Sequence, residues 1–346
     1  MMSEKYSNIG EIKALQIDKK RRLFSAEHAE IISGATTDIY FIKTQEILAK
    51  KGLMDVEVTA EIFSRGSGIL SGITESLRLL EDCPVEVWTL QEGQAFANKE
   101  VVMRIKGKYS EFGIYETAML GILASSSGWS TAARLAKEAA GDKSVLCFGA
   151  RHVHPAVAPV MERAAIVGGA DGASCILGAK LAGLEPSGTV PHAIFLIMGD
   201  SVDVAQAYHE IMPGDEPRTV LVDTFKDEAE EALRVAQALG KNLQGIRLDT
   251  PSERGGVTPG LVKEIRTRLD MAGFQHVKIF VSGGLTPERI RLLCEAGADA
   301  FGVGSYISGA SAIDMTMDLK EIDGRAIAKR GRLPGLTDSP RLSRVK

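Results

Sequence analysis

"FVSGGLTPERI", residues Phe280 to Ile290, and "ADAFGVGS", residues Ala298 to Ser305, decide the fold of this chain. Each is an apolar, strand-like run with a glycine-rich end, and a helical run that begins with proline separates them. Glycines let main-chain N–H groups approach an anion, and a helix that begins there adds partial positive charge. In barrels of alternating strands and helices, a phosphate site commonly follows the last strands. Tight strand-to-helix turns remain the alternative for either stretch, but two in series favour phosphate.

These two stretches end a longer series, because strand-like and helical runs alternate from about Val145 onward. The strand-like runs are "VLCF" (Val145–Phe148), "TVLVD" (Thr219–Asp223), "GIRLD" (Gly245–Asp249), "VKIFVSG" (Val277–Gly283) and "DAFGVG" (Asp299–Gly304). The helical runs include "PAVAPVMERAAIV" (Pro155–Val167), "ASCILGAKLAGL" (Ala173–Leu184) and "KDEAEEALRVAQALG" (Lys226–Gly240). Such alternation requires parallel strands with right-handed crossovers. It predicts an incomplete parallel α/β barrel over residues 141–311.

The run "TPGLVKEIRTRLDMAG" shows how clear these signals are. Thr258 is placed as an N-cap, and Pro259 follows in the first helical position. Leu261, Ile265 and Leu269 recur at a helical spacing. We therefore expect a helix with these three residues on one apolar face and Gly273 after its end.

Residues 1–140 have a different pattern, typical of an α+β domain. The strand-like runs are "VEVTAEIF", "VEVWTL" and "EVVMRIKG", and the helical runs are "TDIYFIKTQEILAKKG" and "GIYETAMLGILASSSG". The final segment, residues 312–346, contains a strand, a turn and a second strand. We expect this segment to return and complete the N-terminal domain.

Polar side chains gather where the strands of the second domain end. They are Arg151 after the first strand, His192 after "GTV", Asp223 after "TVLV", and Arg247 with Asp249 in "RLD". Active sites of such barrels lie at the carboxyl ends of the strands. Two arginines, a histidine, two aspartates and glycine-rich loops suit a substrate with several negative charges and a sugar.

Each of these residues also has a purely structural interpretation. Asp223 could cap the following helix, and His192 could be a buried histidine beside an apolar helix. Arg247 and Asp249 point to the same side of a strand and could form only an internal ion pair. These alternatives stay open on the residues alone.

Composition narrows the class of protein. The 346 residues are 45% hydrophobic, with a formal net charge of −4, so nothing indicates a nucleic-acid partner. The four cysteines form no C-x-x-C pair, which argues against a thiolate zinc site and fits a reducing compartment. No apolar run reaches membrane-spanning length, and the opening segment is charged throughout. We expect a soluble, cytoplasmic protein without a membrane partner.

The order of motifs resembles a known family. The blocks are "TTDIYF", "ETAMLGILASSSGWSTAAR", "GARHVHP", "GGADGASCILGAKLAGLEPSGTVPHAI", "LVDTF", "GIRLDT", "VSGGL" and "FGVGS". Together they are similar to nicotinate phosphoribosyltransferase, which groups with quinolinate and nicotinamide phosphoribosyltransferases. The resemblance covers most of the chain. It implies an incomplete α/β barrel plus an α+β domain formed by the N-terminal segment and the returning C-terminal strands.

The resemblance also implies residue roles. The phosphate-binding residues would be Gly283, Gly284, Gly302, Gly304 and Ser305. Arg247 and Asp249 would hold the ribose and pyrophosphate, Arg151 would face the anionic substrates, and Phe148 would lie under the pyridine ring. Tyr40, with Asp38 beside it, would come from the partner subunit of a dimer or higher homo-oligomer to cover that ring. His192 would be phosphorylated by ATP and oriented by Asp223, although "GTVPH" departs from the family's usual "GTMAH".

The activity implied is transfer of phosphoribosyl from phosphoribosyl pyrophosphate to nicotinate in NAD biosynthesis. ATP would be a co-substrate, giving a ligase-type classification, and Mg²⁺ would accompany the pyrophosphate without a protein ligand set of its own. Three alternatives remain: a decarboxylating quinolinate phosphoribosyltransferase, a nicotinamide-using enzyme, and a catalytically silent barrel that binds phosphate metabolites. The usual "TRKT" segment of the quinolinate enzyme is absent, and "GARHVHP" stands in its place.

Overall fold

The computed structural model describes residues 5–18 and 20–346. The strands are β1 Glu57–Ser64, β2 Gly68–Ile69, β3 Glu86–Thr89, β4 Ala95–Phe96, β5 Val101–Lys108, β6 Ser144–Cys147, β7 Gly172–Ala173, β8 Thr219–Leu221, β9 Gly245–Leu248, β10 Lys278–Ser282, β11 Ala300–Val303, β12 Met315–Ile322, β13 Arg325–Ala326 and β14 Ser343–Arg344. The helices are α1 Ile9–Ala14, α2 His28–Ile32, α3 Ile39–Lys51, α4 Ile73–Leu79, α5 Tyr109–Phe112, α6 Glu116–Ala140, α7 Ala158–Gly168, α8 Ile176–Leu181, α9 His192–Met198, α10 Ser201–Ile211, α11 Glu228–Leu239, α12 Pro259–Met271, α13 Pro287–Glu295 and α14 Ser305–Ser308.

The described chain divides into two compact units. The first unit runs up to Thr131 and includes Ser311–Lys346, and the second is Ala132–Ala310. The first unit contains a six-stranded antiparallel sheet in the order β13-β12-β1-β5-β3-β14. In this sheet β12 pairs with β1, so that Ile62 lies opposite Met317. The returning C-terminal strands thus complete the N-terminal sheet, and this part of the predicted fold class is confirmed.

The second unit contains a six-stranded parallel sheet in the order β7-β6-β11-β10-β9-β8. Its edge strands, β7 and β8, do not pair with each other among the described residues, so the barrel stays incomplete, as predicted. Because all six strands run the same way, their carboxyl ends share one edge, which we call the carboxyl edge. Arg151, Asp223 and Asp249 follow strands that end at this edge. The run "GTV" forms no strand, and His192 is the first residue of α9.

Helix α12 begins as its sequence predicts, but its buried face is shifted. The Thr258 hydroxyl accepts a hydrogen bond from the amide of Leu261, and Pro259 is the first helical residue. The buried side chains are Val262, Ile265 and Leu269. Leu261 is only half-buried, so Val262 takes its place beside Ile265 and Leu269 on the buried face.

Two helices are shorter than their sequences predict. The run Pro155–Val167 becomes helical only at Ala158. The run Ala173–Leu184 is helical only over Ile176–Leu181, because Ala173 belongs to β7 and pairs with Cys147. The segment between β7 and α8 is instead held by a buried carboxylate.

Candidate functional site

Arg247 of β9 lies at the carboxyl edge and contacts several of its polar groups. Its Nε donates to Ser282 Oγ at 2.9 Å, its Nη1 donates to Thr189 Oγ1 at 2.8 Å, and its Nη2 lies 3.5 Å from Asp249 Oδ2. The side chain is only 15% exposed. Burial lowers the pKa of Arg247, and the carboxylates of Asp249 and Asp223 oppose that change by favouring the charged form. Arg247 therefore does more than form an internal ion pair with Asp249, because its guanidinium also donates hydrogen bonds to the hydroxyl groups of Ser282 and Thr189.

Two neighbouring aromatic rings lie beside the same guanidinium. Its carbon lies 5.1 Å from the ring centre of Phe148 and 5.9 Å from that of Phe280. The strand register brings this about, because Phe280 of β10 is the direct neighbour of Arg247 in β9. The two ring centres are 5.8 Å apart, and Phe148 remains partly exposed. A flat apolar face beside a cation is suited to an aromatic, anionic ligand.

Ser282 links the arginine to Asp249. Its hydroxyl donates to Asp249 Oδ1 at 2.8 Å while its oxygen accepts from Arg247. The carboxylate of Asp249 thus has one oxygen near Arg247 and the other fixed by Ser282. Such fixed polar groups can meet developing positive charge without reorganising.

His192 and Asp223 form a second pair at this edge. The Nε2 atom of His192 lies 3.1 Å from both carboxylate oxygens of Asp223. The Asp223 side chain is 1% exposed and that of His192 is 38% exposed. Burial raises the pKa of Asp223; His192 opposes the rise and Asp249 adds to it. Helix α11 is capped by Asp227 instead, so the interpretation of Asp223 as its cap is wrong.

The four glycines at the ends of β10 and β11 serve different purposes. Gly283 and Gly284 have φ angles of +91° and +58°, and a β-carbon added at Gly284 would meet no atom within 4 Å. At Gly302 an added β-carbon would lie 2.6 Å from the Phe148 ring, and at Gly304 it would lie 3.0 Å from the main-chain oxygen of Phe148. Gly284 therefore borders open space, whereas a β-carbon at Gly283 would lie 3.2 Å from Asp249 Oδ1. The second pair lets Phe148 pack closely. Ser305 begins the short helix α14.

Arg151 lies in the short 3₁₀ turn Ala150–His152 that follows β6. Its side chain is exposed, and its charge adds to the lowering of the pKa of Arg247, after burial. Throughout residues 5–18 and 20–346, no carboxylate pairs with this guanidinium. Arg151 is thus a cation available to a ligand.

The sequence reasoning missed Thr189, Phe280 and Ser282. Thr189 belongs to the "GTVPH" block and Ser282 precedes the glycine pair, so both stood beside residues that were singled out. Their contacts with Arg247 join segments 35 and 58 positions apart, and no local pattern carries that information.

Asp38 and Tyr40 lie in the first unit and contact each other there. The Tyr40 hydroxyl donates to Asp38 Oδ2 at 3.2 Å, and the Thr117 hydroxyl donates to the same oxygen at 3.0 Å. Asp38 is the N-cap residue of α3, which presents a 55% exposed Tyr40. Both residues line an open pocket of about 260 Å³ together with Glu116. The structure brings these two together and describes the remaining site residues in the second unit.

Glu116, the first residue of α6, has a carboxyl group whose pKa is shifted by its surroundings. Its pKa is raised to about 7, chiefly because burial disfavours the charged form. Asp318 adds to the rise, Lys329 opposes it, and Asp38 adds to it more weakly. The carboxyl group therefore changes its protonation state near neutral pH.

We predict that Glu116→Gln stabilises the protein at alkaline pH only. The ordinary pKa of a glutamate is 4.5, so the native state binds the extra proton and gains stability at low pH, and it loses that contribution as pH rises through about 7. The variant should have a free energy of unfolding higher than wild type by about 1–2 kcal/mol near pH 8, after discounting for solvent screening. Denaturant titrations at about pH 5 and pH 8 measure this, and Glu264→Gln, an exposed matched change, should give no gain. Equal gains at both pH values would contradict the assignment.

No helix of the described residues is both long enough and apolar enough to cross a membrane. The same residues contain no group of three or more His, Cys, Asp or Glu side chains arranged to hold a metal ion. The two aspartates of the carboxyl edge are engaged with His192 and with Arg247, respectively.

Several known proteins are similar to this chain in sequence or in fold. The chain is 30% identical over 326 residues to a nicotinate phosphoribosyltransferase of Mycobacterium tuberculosis, covering 87% of this chain and 68% of that one. It is 27% identical over 311 residues to a nicotinate phosphoribosyltransferase of Bacillus subtilis, covering 78% of this chain and 62% of that one. The crystal structure of nicotinate-nucleotide pyrophosphorylase from Pyrococcus furiosus is 44% identical, with a TM-score of 0.87, and covers 91% of this chain and 82% of that one.

The sequence also matches a described family over most of its length. The N-terminal domain of quinolinate phosphoribosyl transferase matches residues 38–127, and its C-terminal domain matches residues 130–318. These matches confirm the resemblance at the level of the phosphoribosyltransferase group. The chain belongs to the quinolinate phosphoribosyl transferase family.

Proposed function

We propose that this protein transfers phosphoribosyl from phosphoribosyl pyrophosphate to nicotinate, giving nicotinate mononucleotide and pyrophosphate in NAD biosynthesis. The observation that supports this most is the buried Arg247, held by Asp249, Ser282 and Thr189 and flanked by two aromatic rings. It combines a fixed cation for phosphate oxygens with a flat face for a pyridine. Membership in a family of phosphoribosyltransferases supports the same reaction class. We place the reaction in the cytoplasm.

The chemistry requires positioning and charge stabilisation. The bond from the anomeric carbon to pyrophosphate breaks with its electron pair going to the leaving oxygen, and the pyridine nitrogen forms the new bond from the opposite face. The sugar carries positive charge in between, which a carboxylate such as Asp249 favours. Mg²⁺ would be held mainly by the pyrophosphate, because both aspartates of the carboxyl edge already have partners. No covalent sugar intermediate is needed.

Arg151 favours nicotinate over the other pyridines. Nicotinate carries one carboxylate, and an arginine can bind it with two parallel hydrogen bonds. The other arginine at this edge is already engaged, so a second carboxylate, as in quinolinate, would have to be buried without a matching cation. Nicotinamide would leave the guanidinium charge poorly satisfied. Quinolinate remains the alternative substrate because the family whose domains match this chain is named for quinolinate phosphoribosyl transferase.

We predict that Arg151→Lys separates acid from amide substrates. Lysine keeps the charge but loses the bidentate geometry, so kcat/KM for nicotinate should fall about 10- to 100-fold. The residual activity with nicotinamide should change less than about threefold, since an amide makes little use of the charge. Steady-state kinetics with both pyridines measure this, with Arg268→Lys on the exposed face of α12 as the matched control. Equal losses for both substrates would remove Arg151 from the carboxylate contact.

We predict that Gly284→Val blocks phosphoribosyl pyrophosphate while preserving the fold. The added side chain would project into the open space that we assign to the 5-phosphate. Gly273→Val is a close control, because Gly273 also has a positive φ of +86° and open surroundings but lies before β10, away from the carboxyl edge. The two variants should lose similar stability, and only Gly284→Val should raise KM for phosphoribosyl pyrophosphate, by about tenfold or more. An unchanged KM and kcat in Gly284→Val would refute the phosphate assignment.

We also propose that ATP phosphorylates His192 and that hydrolysis of the phosphoenzyme drives product formation. An ionised Asp223 only accepts hydrogen bonds, so we assign the proton between the two groups to Nε2 of His192. Nδ1 then keeps its lone pair on a partly exposed ring. Its attack on the γ-phosphorus of ATP would form an N–P bond and release ADP.

We predict that His192→Ala abolishes stimulation by ATP but keeps a slow, ATP-independent turnover. His276→Ala, at an exposed histidine before β10, should retain full stimulation. The measurement is the ratio of initial rates with and without ATP, supported by mass spectrometry at neutral or basic pH, where phosphohistidine survives. Full stimulation of His192→Ala by ATP would end the proposal. A purely structural histidine would instead lower stability without a selective loss of the ATP response.

A second copy of the chain would complete the site. We propose that Tyr40 and Asp38 of the partner subunit cover the pyridine, which makes a dimer the smallest active unit. An exposed tyrosine at the start of α3, held by Asp38, is the observation in support.

We predict that mixing two inactive variants, Tyr40→Ala and Asp249→Ala, restores activity. If subunits exchange freely, half of the dimers are mixed and each has one intact site, so about a quarter of wild-type activity should return. Mixing Arg247→Ala with Asp249→Ala should restore nothing, because both changes affect the same half of the site. Absence of recovery despite proven subunit exchange would exclude a shared site.

A further inference from the structure

Glu162 of α7 is a buried glutamate outside the residues assigned above. Its side chain is fully buried, at 0% exposure. Its Oε1 accepts from the amide of Ala150 at 3.1 Å and from the hydroxyl of Ser174 at 3.2 Å, and its Oε2 accepts from the amide of Cys175 at 2.5 Å. Three donors from two separate segments thus converge on one carboxylate.

This carboxylate lacks the partner that usually accompanies a buried charge. Across residues 5–18 and 20–346, no cationic side chain forms an ion pair with Glu162. Burial raises its pKa, and the hydrogen bonds from Cys175, Ala150 and Ser174 oppose that rise. A buried carboxylate without a counter-ion is costly, so packing alone gives no reason for it.

The donors connect two parts of the carboxyl edge. Ala150 begins the turn after β6 that contains Arg151, whereas Ser174 and Cys175 join β7 to α8. The turn also lies close to α7, since a β-carbon at Gly149 would come within 2.6 Å of Met161. Glu162 therefore fixes the turn to the helix behind it and to the neighbouring strand end.

The position of the Arg151 side chain depends on that turn more than the position of the Phe148 ring does. The amide of Phe148 is bonded to the carbonyl of Val303 at 2.9 Å, so the strand pairing itself holds the aromatic residue. The Arg151 side chain has no carboxylate partner among the described residues, and its position follows from the backbone of the turn. Loosening the anchor should move the guanidinium while leaving the ring and Arg247 in place.

We propose that Glu162 is a positioning residue for Arg151 and so helps set the preference for a pyridine that carries a carboxylate. The inference rests on the proposed function, since it gives Arg151 the carboxylate contact. Glu162 does not touch the substrate. It acts by holding the amide of Ala150, and with it the turn, in one place.

The test compares Glu162→Gln with Glu231→Gln. Glu231 is equally buried, at 0% exposure, but it pairs with Arg234 on α11. Glutamine keeps the shape of the Glu162 side chain, but its NH2 group would face the main-chain N–H of Ala150 or Cys175. Two donors cannot hydrogen-bond to each other, so one of these contacts is lost. KM for nicotinate should rise about tenfold in Glu162→Gln, while kcat and KM for phosphoribosyl pyrophosphate should change less than about threefold. Glu231→Gln should leave both KM values unchanged at a comparable loss of stability.

Amide hydrogen exchange provides a readout that needs no substrate. In Glu162→Gln, the segments around Ala150 and Cys175 should exchange about tenfold faster or more, and the same segments in Glu231→Gln should match wild type. If Glu162→Gln does not fold, Ser174→Ala removes one donor and should show the same two effects on a smaller scale. Unchanged exchange in these segments, or equal rises in both KM values, would overturn the inference.

The two proposals can fail separately. KM is measured with whichever of nicotinate, nicotinamide and quinolinate the wild type uses. A wild type that uses quinolinate refutes the proposed function, yet the exchange of the Ala150 and Cys175 segments still decides whether Glu162 holds the turn. Normal exchange would refute the positioning role even if nicotinate proves to be the substrate.

Discussion

The largely buried guanidinium of Arg247 determines how the carboxyl edge of the parallel sheet is built. Burying the charge of Arg247 is costly unless its donors are satisfied. Ser282 and Thr189 accept hydrogen bonds from it, Asp249 forms an ion pair with it, and two aromatic rings lie beside it. Each of these groups is fixed in turn, so the edge offers a preorganised cation and a flat apolar face before any ligand arrives.

The remaining groups of the carboxyl edge differ in whether other side chains already occupy them. Asp223 is buried and committed to His192, whose ring stays partly open on its other side. Arg151 has no carboxylate partner among the described residues, and Gly284 borders empty space. The engaged groups are suited to holding geometry, and the open ones are suited to meeting ligands. This division supports assigning the pyridine carboxylate to Arg151 and the sugar phosphate to the Gly284 loop.

Local patterns predicted the architecture well, because strand and helix periods and cap residues act over a few positions. Helix α12 shows the limit of such patterns: residues spaced four apart suggested Leu261 for the apolar face, whereas Val262 is the residue that is buried. Gly302 was assigned to phosphate, but its lack of a side chain also makes room for the Phe148 ring. Thr189 and Glu162 act through partners that are distant in sequence or in other elements, so their roles required the three-dimensional structure.

The choice of pyridine tests the central claim most directly. Purified wild-type protein is incubated with phosphoribosyl pyrophosphate and, in separate reactions, with nicotinate, nicotinamide and quinolinate labelled at its 2-carboxylate. Initial rates and released carbon dioxide are measured. One available arginine predicts kcat/KM for nicotinate above that for nicotinamide by about 10²–10⁴-fold, with little carbon dioxide from quinolinate. Carbon dioxide release from quinolinate at rates that match nicotinate turnover would contradict the account.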